Sequence, residues 1–242
     1  MEYKISLSNI CEKCKSVVYC NQYKQHGDKT MAKNKEKTTT CPSCGHKQNY
    51  TAWSNISSNL NPEIKQQLLD GMLFRVKCEN CGQENLVNYD VTYSDIAHNV
   101  VLRYTHETEE EKNTPKILAF DGSMMDMEIP GCRKRTVTDQ NTLREKAIIF
   151  ENGLDDRVIE IIKLMYLFDI NESYPDANII DVFFVVKDGK YILEFLGNKM
   201  FSTEVPPEVY SGIKSDFAAK LIAEGDSAAN IDINWASAFL DK

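Results

Sequence analysis

Two pairs of cysteines carry the clearest chemistry in this 242-residue chain. "CPSCGHKQNY" starts at Cys41 and "CENCGQENLV" at Cys78, so Cys41/Cys44 and Cys78/Cys81 share the pattern C-x-x-C-G. A C-x-x-C turn lets two thiolates converge on one ion while backbone N–H groups point at the sulfurs. Gly45 and Gly82 permit that turn without a Cβ clash. Two such knuckles make a closed all-sulfur set, whose usual occupant is Zn2+ bound at ~2.3 Å per sulfur. A closed set has no open position for water, so its role is structural. A thioredoxin-like redox pair would instead follow a strand and open a helix. Neither knuckle opens a helical pattern.

A third knuckle, Cys11/Cys14, leaves the pairing open on spacing alone. Two features favour joining Cys41/Cys44 to Cys78/Cys81: both knuckles carry the glycine, and strand-like segments bracket each. Cys11, Cys14, Cys20 and His26, spaced C-x2-C-x5-C-x5-H, have the right donor types for a second zinc. One Zn2+ is expected and two are possible. Cys132 reads as an ordinary packed or loop thiol. His46, His98 and His106 show no partner at ligand spacing.

The elements that must position these residues read as α+β: a β-rich, zinc-ribbon-like N-terminal domain, then a mixed α+β C-terminal domain. Residues 21–40, polar and rich in Lys and Thr, have no apolar periodicity and read as a mobile loop. "NYTAWSNIS" reads as a strand. "NPEIKQQLLDG" is a short helix with Asn61 as N-cap, Pro62 at its first position and Gly71 at its end. "MLFRVKC", "ENLVNYDVTYSD", "NVVLRYT" and "KILAF" read as strands. Thr142 and Glu145 have capping-box spacing at the start of a helix that Gly153 closes. "LDDRVIEIIKLMYLF" is the strongest helix, capped by Asp155 or Asp156, with Leu154 and Ile159 as a staple. Asp188-Gly189 turns a hairpin, and "KMFSTEVP" adds a third strand. Val209, Ile213, Phe217 and Leu221 line one helical face, and "NWASAFL" ends the chain as a short helix. The organisation expected is a 1–40 extension, a 41–130 zinc-binding domain and a 131–242 α+β domain.

"CPSCGHKQNY", "NLNPEIKQQLLDGMLFRVKCENCGQ" and "VTYSD" together resemble the bacterial and archaeal CpXC domain. "LREKAIIFENGLDDRVIEIIKL" resembles the region that often follows it. The resemblance implies that Cys41, Cys44, Cys78 and Cys81 form one metal site. It departs at Glu79, where the pattern has proline, and it does not extend to Cys11, Cys14 or Cys20. The family brings no known role with it.

Charge narrows the partners. The chain carries a net −8 with a pI of about 5.1. Residues 1–47 hold +5 and the remainder −13. An acidic body disfavours general binding to nucleic acid or anionic membrane, both of which need a positive field. The opening "MEYKISLSNI" lacks a long apolar stretch, and "LMYLF" and "VFFVV" fall far short of the ~20 residues that span a bilayer. A cytoplasmic protein is expected, where cysteines serve as ligands rather than disulfides.

Function is less legible. The leading expectation is a non-enzymatic zinc-binding protein whose structural site supports a protein-interaction module. The alternative is a nucleic-acid-binding ribbon using the lysines of residues 4–47 with Tyr19, Tyr23, Tyr50 and Trp53. A third reading is an enzyme using Asp155, Asp156 and Glu160 of the C-terminal domain. Capping accounts equally well for the two aspartates, and a solvated helix face for Glu160. No Walker A, GxGxxG, HExxH or GxSxG motif occurs.

Overall fold

The computed structural model describes residues 33–105 and 131–242. The described residues all belong to one compact unit, residues 32–242. Cys11, Cys14, Cys20, His26, Tyr19, Tyr23, His106 and the "KILAF" strand lie outside them.

The N-terminal part is built on a five-stranded mixed sheet in the order β1-β2-β5-β6-β7. Its strands are β1 (Lys33–Thr40), β2 (Lys47–Ser57), β5 (Val91–Asp95), β6 (Val100–Tyr104) and β7 (Arg133–Val137). β2 pairs in parallel with β5 and β6 with β7, while β1–β2 and β5–β6 are antiparallel. Between β2 and β5 the chain forms helix α1 (Pro62–Leu69) and a two-stranded ribbon, β3 (Arg75–Lys77) with β4 (Glu84–Leu86).

The expected loop over residues 21–40 is corrected at its end. Residues 33–40 form a strand that pairs with β2 along its whole length. The segment has no apolar face because it is an edge strand. Its backbone finds partners in β2 while Lys35, Glu36 and Lys37 stay exposed, a composition that discourages further pairing.

Helix α2 (Gln140–Glu151) packs on β6 and β7, and α3 (Asp156–Ser173) lies against it. An antiparallel sheet follows, β8 (Asp181–Lys187), β9 (Lys190–Leu196) and β10 (Phe201–Val205), in the order β10-β9-β8. Helices α4 (Pro207–Asp216), α5 (Ala218–Glu224) and α6 (Ile233–Leu240) complete the chain. Two apolar clusters result. One gathers Ile56, Leu68, Tyr93, Leu102 and Phe150; the other gathers Val158, Ile162, Phe184, Phe195 and Phe239.

Local signals act mostly as expected. Asp155 caps α3 by accepting from the Arg157 N–H, and Leu154 and Ile159 are both buried in one cluster. Asp188 and Gly189 both have positive φ, 50° and 75°, as a tight hairpin turn requires. The helix expected within 207–224 breaks at Phe217 into α4 and α5, with all four apolar residues still facing one core. Two caps differ. Asn61 stands at the N-cap of α1 but its side chain accepts from Ser57 N–H behind it, at 3.2 Å. Helix α2 is capped by Asp139, which accepts from the N–H groups of Asn141 and Thr142. Glu145 is therefore no capping-box partner; it is 2 % exposed, inside the protein.

Almost every residue of α3 from Asp156 to Leu164 is buried, so its charges must find partners inside. Arg135 forks onto Asp156, with Nε to Oδ2 at 2.8 Å and Nη2 to Oδ1 at 3.0 Å. Lys146 Nζ reaches Asp156 at 3.2 Å and Glu160 at 2.9 Å. Lys163 Nζ sits 3.0 Å from both Glu145 and Glu160. Glu145 Oε1 also accepts from the N–H of Phe184 at 2.6 Å, satisfying an edge-strand donor of β8. Three buried cations thus meet three buried carboxylates, with partly exposed Asp226 as a fourth carboxylate against Arg135. Burial alone would raise the pKa of Asp156, but Lys146 and Arg135 outweigh it and hold the carboxyl below the usual range. Glu145 goes the other way, because burial dominates its partners.

Candidate metal centre

Each knuckle is the turn of an antiparallel hairpin, the first joining β1 to β2 and the second β3 to β4. The two turns are built alike. Cys41 N–H donates to the His46 carbonyl at 2.8 Å and Gly45 N–H to the Cys41 carbonyl at 2.9 Å. In the second, Cys78 N–H donates to Gln83 at 2.8 Å and Gly82 N–H to Cys78 at 2.9 Å. Gly45 and Gly82 have φ of 72° and 75°, the left-handed region that glycine enters without strain.

The turns bring all four sulfurs within 4.8 Å of one another. Cys41 Sγ lies 3.7 Å from Cys81 Sγ, and Cys44 Sγ 3.7 Å from Cys78 Sγ. Disulfides would need ~2.05 Å. An ion bound at ~2.3 Å by four sulfurs sets a tetrahedral edge of about 3.8 Å. The donor set thus fits a tetrahedral thiolate-binding ion, with Cys41 and Cys78 buried and Cys44 and Cys81 facing out.

Polar groups around the sulfurs favour thiolate. Asn80 Nδ2 points at Cys44 Sγ and Asn85 Nδ2 at Cys41 Sγ, each at 3.6 Å. Burial pushes the Cys41 thiol up, but hydrogen bonds from the Ser43 and Cys44 backbone and from neighbouring thiols bring it down to about 6. Cys44 is lowered chiefly by the His46 backbone and then by Asn80. Cys81 gains from the Gln83 backbone, yet the thiols of Cys44, Cys78 and Cys41 and its burial push it up to about 12. Without an ion, the last sulfur keeps its proton because the others crowd it. His46 contributes through its main chain to this site.

A family model described as CpXC protein matches residues 39–163, just over half of the chain. The chain belongs to the CpXC family. Neither a curated protein nor a solved structure matches it. Within this CpXC protein, one supporting residue escaped sequence reasoning. Gln48, the second residue of β2, is buried; its Nε2 donates to the Lys77 carbonyl and its Oε1 accepts from Glu79 N–H, both at 2.9 Å. It straddles Cys78 and ties the two hairpins together. The departure at Glu79 acquires a use here, since proline has no N–H to donate.

The acids proposed for catalysis do not form an open site. Asp155 caps α3 and pairs with Arg157 at 2.7 Å, while Asp156 and Glu160 are 0 % and 1 % exposed. The expectation that Glu160 sits on a solvated face is therefore wrong. Cys132 is half-buried, with burial raising its pKa. No helix among the described residues is long and apolar enough to cross a membrane.

Proposed function

We propose that this CpXC protein is a non-enzymatic zinc-binding protein whose four-cysteine zinc ribbon supports a protein-interaction module. The observation that carries the metal is the closed sulfur set with two 3.7 Å edges, which suits Zn2+ and leaves no position for a substrate. The ion clamps the turn of the β1–β2 hairpin to that of the short β3–β4 ribbon and supplies folding free energy to that end of the domain.

A surface patch supports the choice of protein as partner. Phe168, Tyr174, Ile180 and Met200 are 66 %, 52 %, 84 % and 76 % exposed. Tyr174 packs on Phe201 at 5.1 Å, Ile180 hydrogen-bonds to Leu196 and Met200 directly precedes β10, so Tyr174, Ile180 and Met200 lie at one end of the small sheet. Clustered apolar exposure of this kind marks interaction surfaces. The nucleic-acid alternative draws on exposed Lys35 and Lys37 of β1. It is weakened because Tyr50 and Trp53 pack against the core instead of standing free to stack on bases.

Elemental analysis of the purified full chain, beside a Cys41→Ser/Cys78→Ser variant, tests the metal reading. One zinc per chain lost in the variant is expected; equal zinc in both proteins would overturn it. Co-purification from cells that make the protein, compared with an Ile180→Asp/Met200→Asp variant, tests the partner. Retention of every associated protein by the variant would count against the patch. Salt-dependent binding of DNA or RNA would favour the alternative.

A further inference from the structure

The end of β5 away from the knuckles carries a second cluster of metal-ligating groups. Asp95, His98 and Glu151 each place one donor atom within 4.8 Å of the others. Asp95 ends β5, His98 lies in the turn to β6, and Glu151 is the last residue of α2. The 11-residue strand β2 runs from the first knuckle to Ser57, which pairs with Ser94. That places this cluster roughly 35 Å from the cysteines.

Asp95 is fixed in place. Its Oδ1 accepts from the N–H groups of Ala97 and His98 at 3.1 and 3.4 Å, and its Oδ2 lies 2.8 Å from His98 Nδ1. That separation suits a hydrogen bond. It also suits one edge of a coordination polyhedron with bonds of ~2.1 Å, about 3.0 Å for an octahedron. Glu151 stands at the C-terminus of α2, where the helix dipole disfavours a carboxylate and the last turn offers no basic residue. Its compensation is Lys65 of α1, 2.5 Å away and partly exposed.

An independent observation points to a missing ligand. Tyr93, two residues before Asp95 and so on the same face of β5, is 1 % exposed. Its hydroxyl makes no hydrogen bond of good geometry among the described residues, although Ser58 and Asp95 lie beside it. Asp95 and Glu151 are among the charged groups nearest to it, so the hydroxyl stands beside the cluster. An orphaned buried hydroxyl calls for a partner. Glu151, its side chain about one-third exposed, has Oε2 held by the Lys65 ammonium at 2.5 Å.

We propose that Asp95, His98 and Glu151 form a second metal site, for a first-row divalent transition ion, with the Tyr93 hydroxyl against a water in its open coordination sphere. One imidazole with two carboxylates selects such an ion over Mg2+ or Ca2+, which prefer all-oxygen sets, and differs in softness from the four-thiolate site. The Lys65 ammonium fills the place of the cation in the empty site and swings into solvent on binding. The inference stands independently of the zinc ribbon.

Titration of the full-length, zinc-loaded protein with Co2+, followed by calorimetry and visible absorption, tests it. One added Co2+ is expected, with the weak bands of nitrogen and oxygen ligation and no sulfur charge transfer. His98→Ala and Glu151→Gln should each weaken it by at least about tenfold, and Tyr93→Phe by about tenfold. Lys65→Ala should tighten it several-fold, a gain that misfolding cannot imitate. Absence of added Co2+, a sulfur signature, or equal binding by wild type, Glu151→Gln and Lys65→Ala would overturn the proposal.

Discussion

The side chain of Gln48 holds the main chain of Glu79, accepting its N–H at 2.9 Å while donating to Lys77 on the other side of Cys78. One carboxamide therefore sets where the second knuckle sits relative to the first. Gln48→Ala should release zinc to a chromophoric chelator 10–100-fold faster, about the range for losing a group that supports a metal ligand. Glu79→Pro should cost about 1–3 kcal/mol, because a buried acceptor loses its donor. Release rates equal to wild type would mean the clamp is idle.

The thiols should react in a fixed order once the metal is removed. Cys44 and Cys81 are both exposed, but Cys44 is lowered and Cys81 raised to about 12. The nucleophile is the thiolate. At pH 7, iodoacetamide should modify Cys44 first, with Cys81 last among the exposed pair, and zinc should protect both. Peptide mapping by mass spectrometry reads the order directly.

The buried charges should resist piecemeal removal. Lys146→Ala leaves Asp156 and Glu160 short of a cation and should cost about 3–5 kcal/mol, measured by urea denaturation. Replacing Asp155, Asp156 and Glu160 together should unfold the C-terminal part and is no test of catalysis. A loss below about 1 kcal/mol for Lys146→Ala would show that water enters the array.

Acid should weaken the fold through Asp156. Its folded pKa lies below the unfolded value, so its contribution is complete above about pH 3.9 and disappears as pH falls through the folded value. Asp156→Asn should be less stable at pH 7 and show a shallower decline below about pH 4. Denaturation midpoints against pH supply the comparison; parallel curves would place the acid sensitivity elsewhere.

The parts legible in the sequence were those governed by local rules. Knuckle glycines, the Asp155 cap, the Asp188-Gly189 turn and the apolar face of α4 and α5 each depend on a few neighbouring residues. The misreadings share a different cause. β1 is polar because it is an edge strand whose side chains stay largely exposed, so hydrophobic periodicity passes over it. Glu145 reads locally as a capping-box residue and Glu160 as a solvated charge, because their partners Lys146 and Lys163 meet them only in the folded chain. His98 showed no partner since Glu151 is distant in sequence, although Asp95 three residues earlier was a visible hint. Gln48 carries no motif at all.

All four knuckle sulfurs belong to the first 81 residues, whereas β7, which completes the five-stranded sheet, begins at Arg133. During synthesis the cysteines leave the ribosome well before that strand and α2 exist. The knuckle hairpins are local and form early, while the parallel β6–β7 pairing waits for later chain. Metal captured by the nascent chain would pin two hairpins before the slow non-local pairing begins. Metal starvation should consequently harm newly made molecules far more than finished ones.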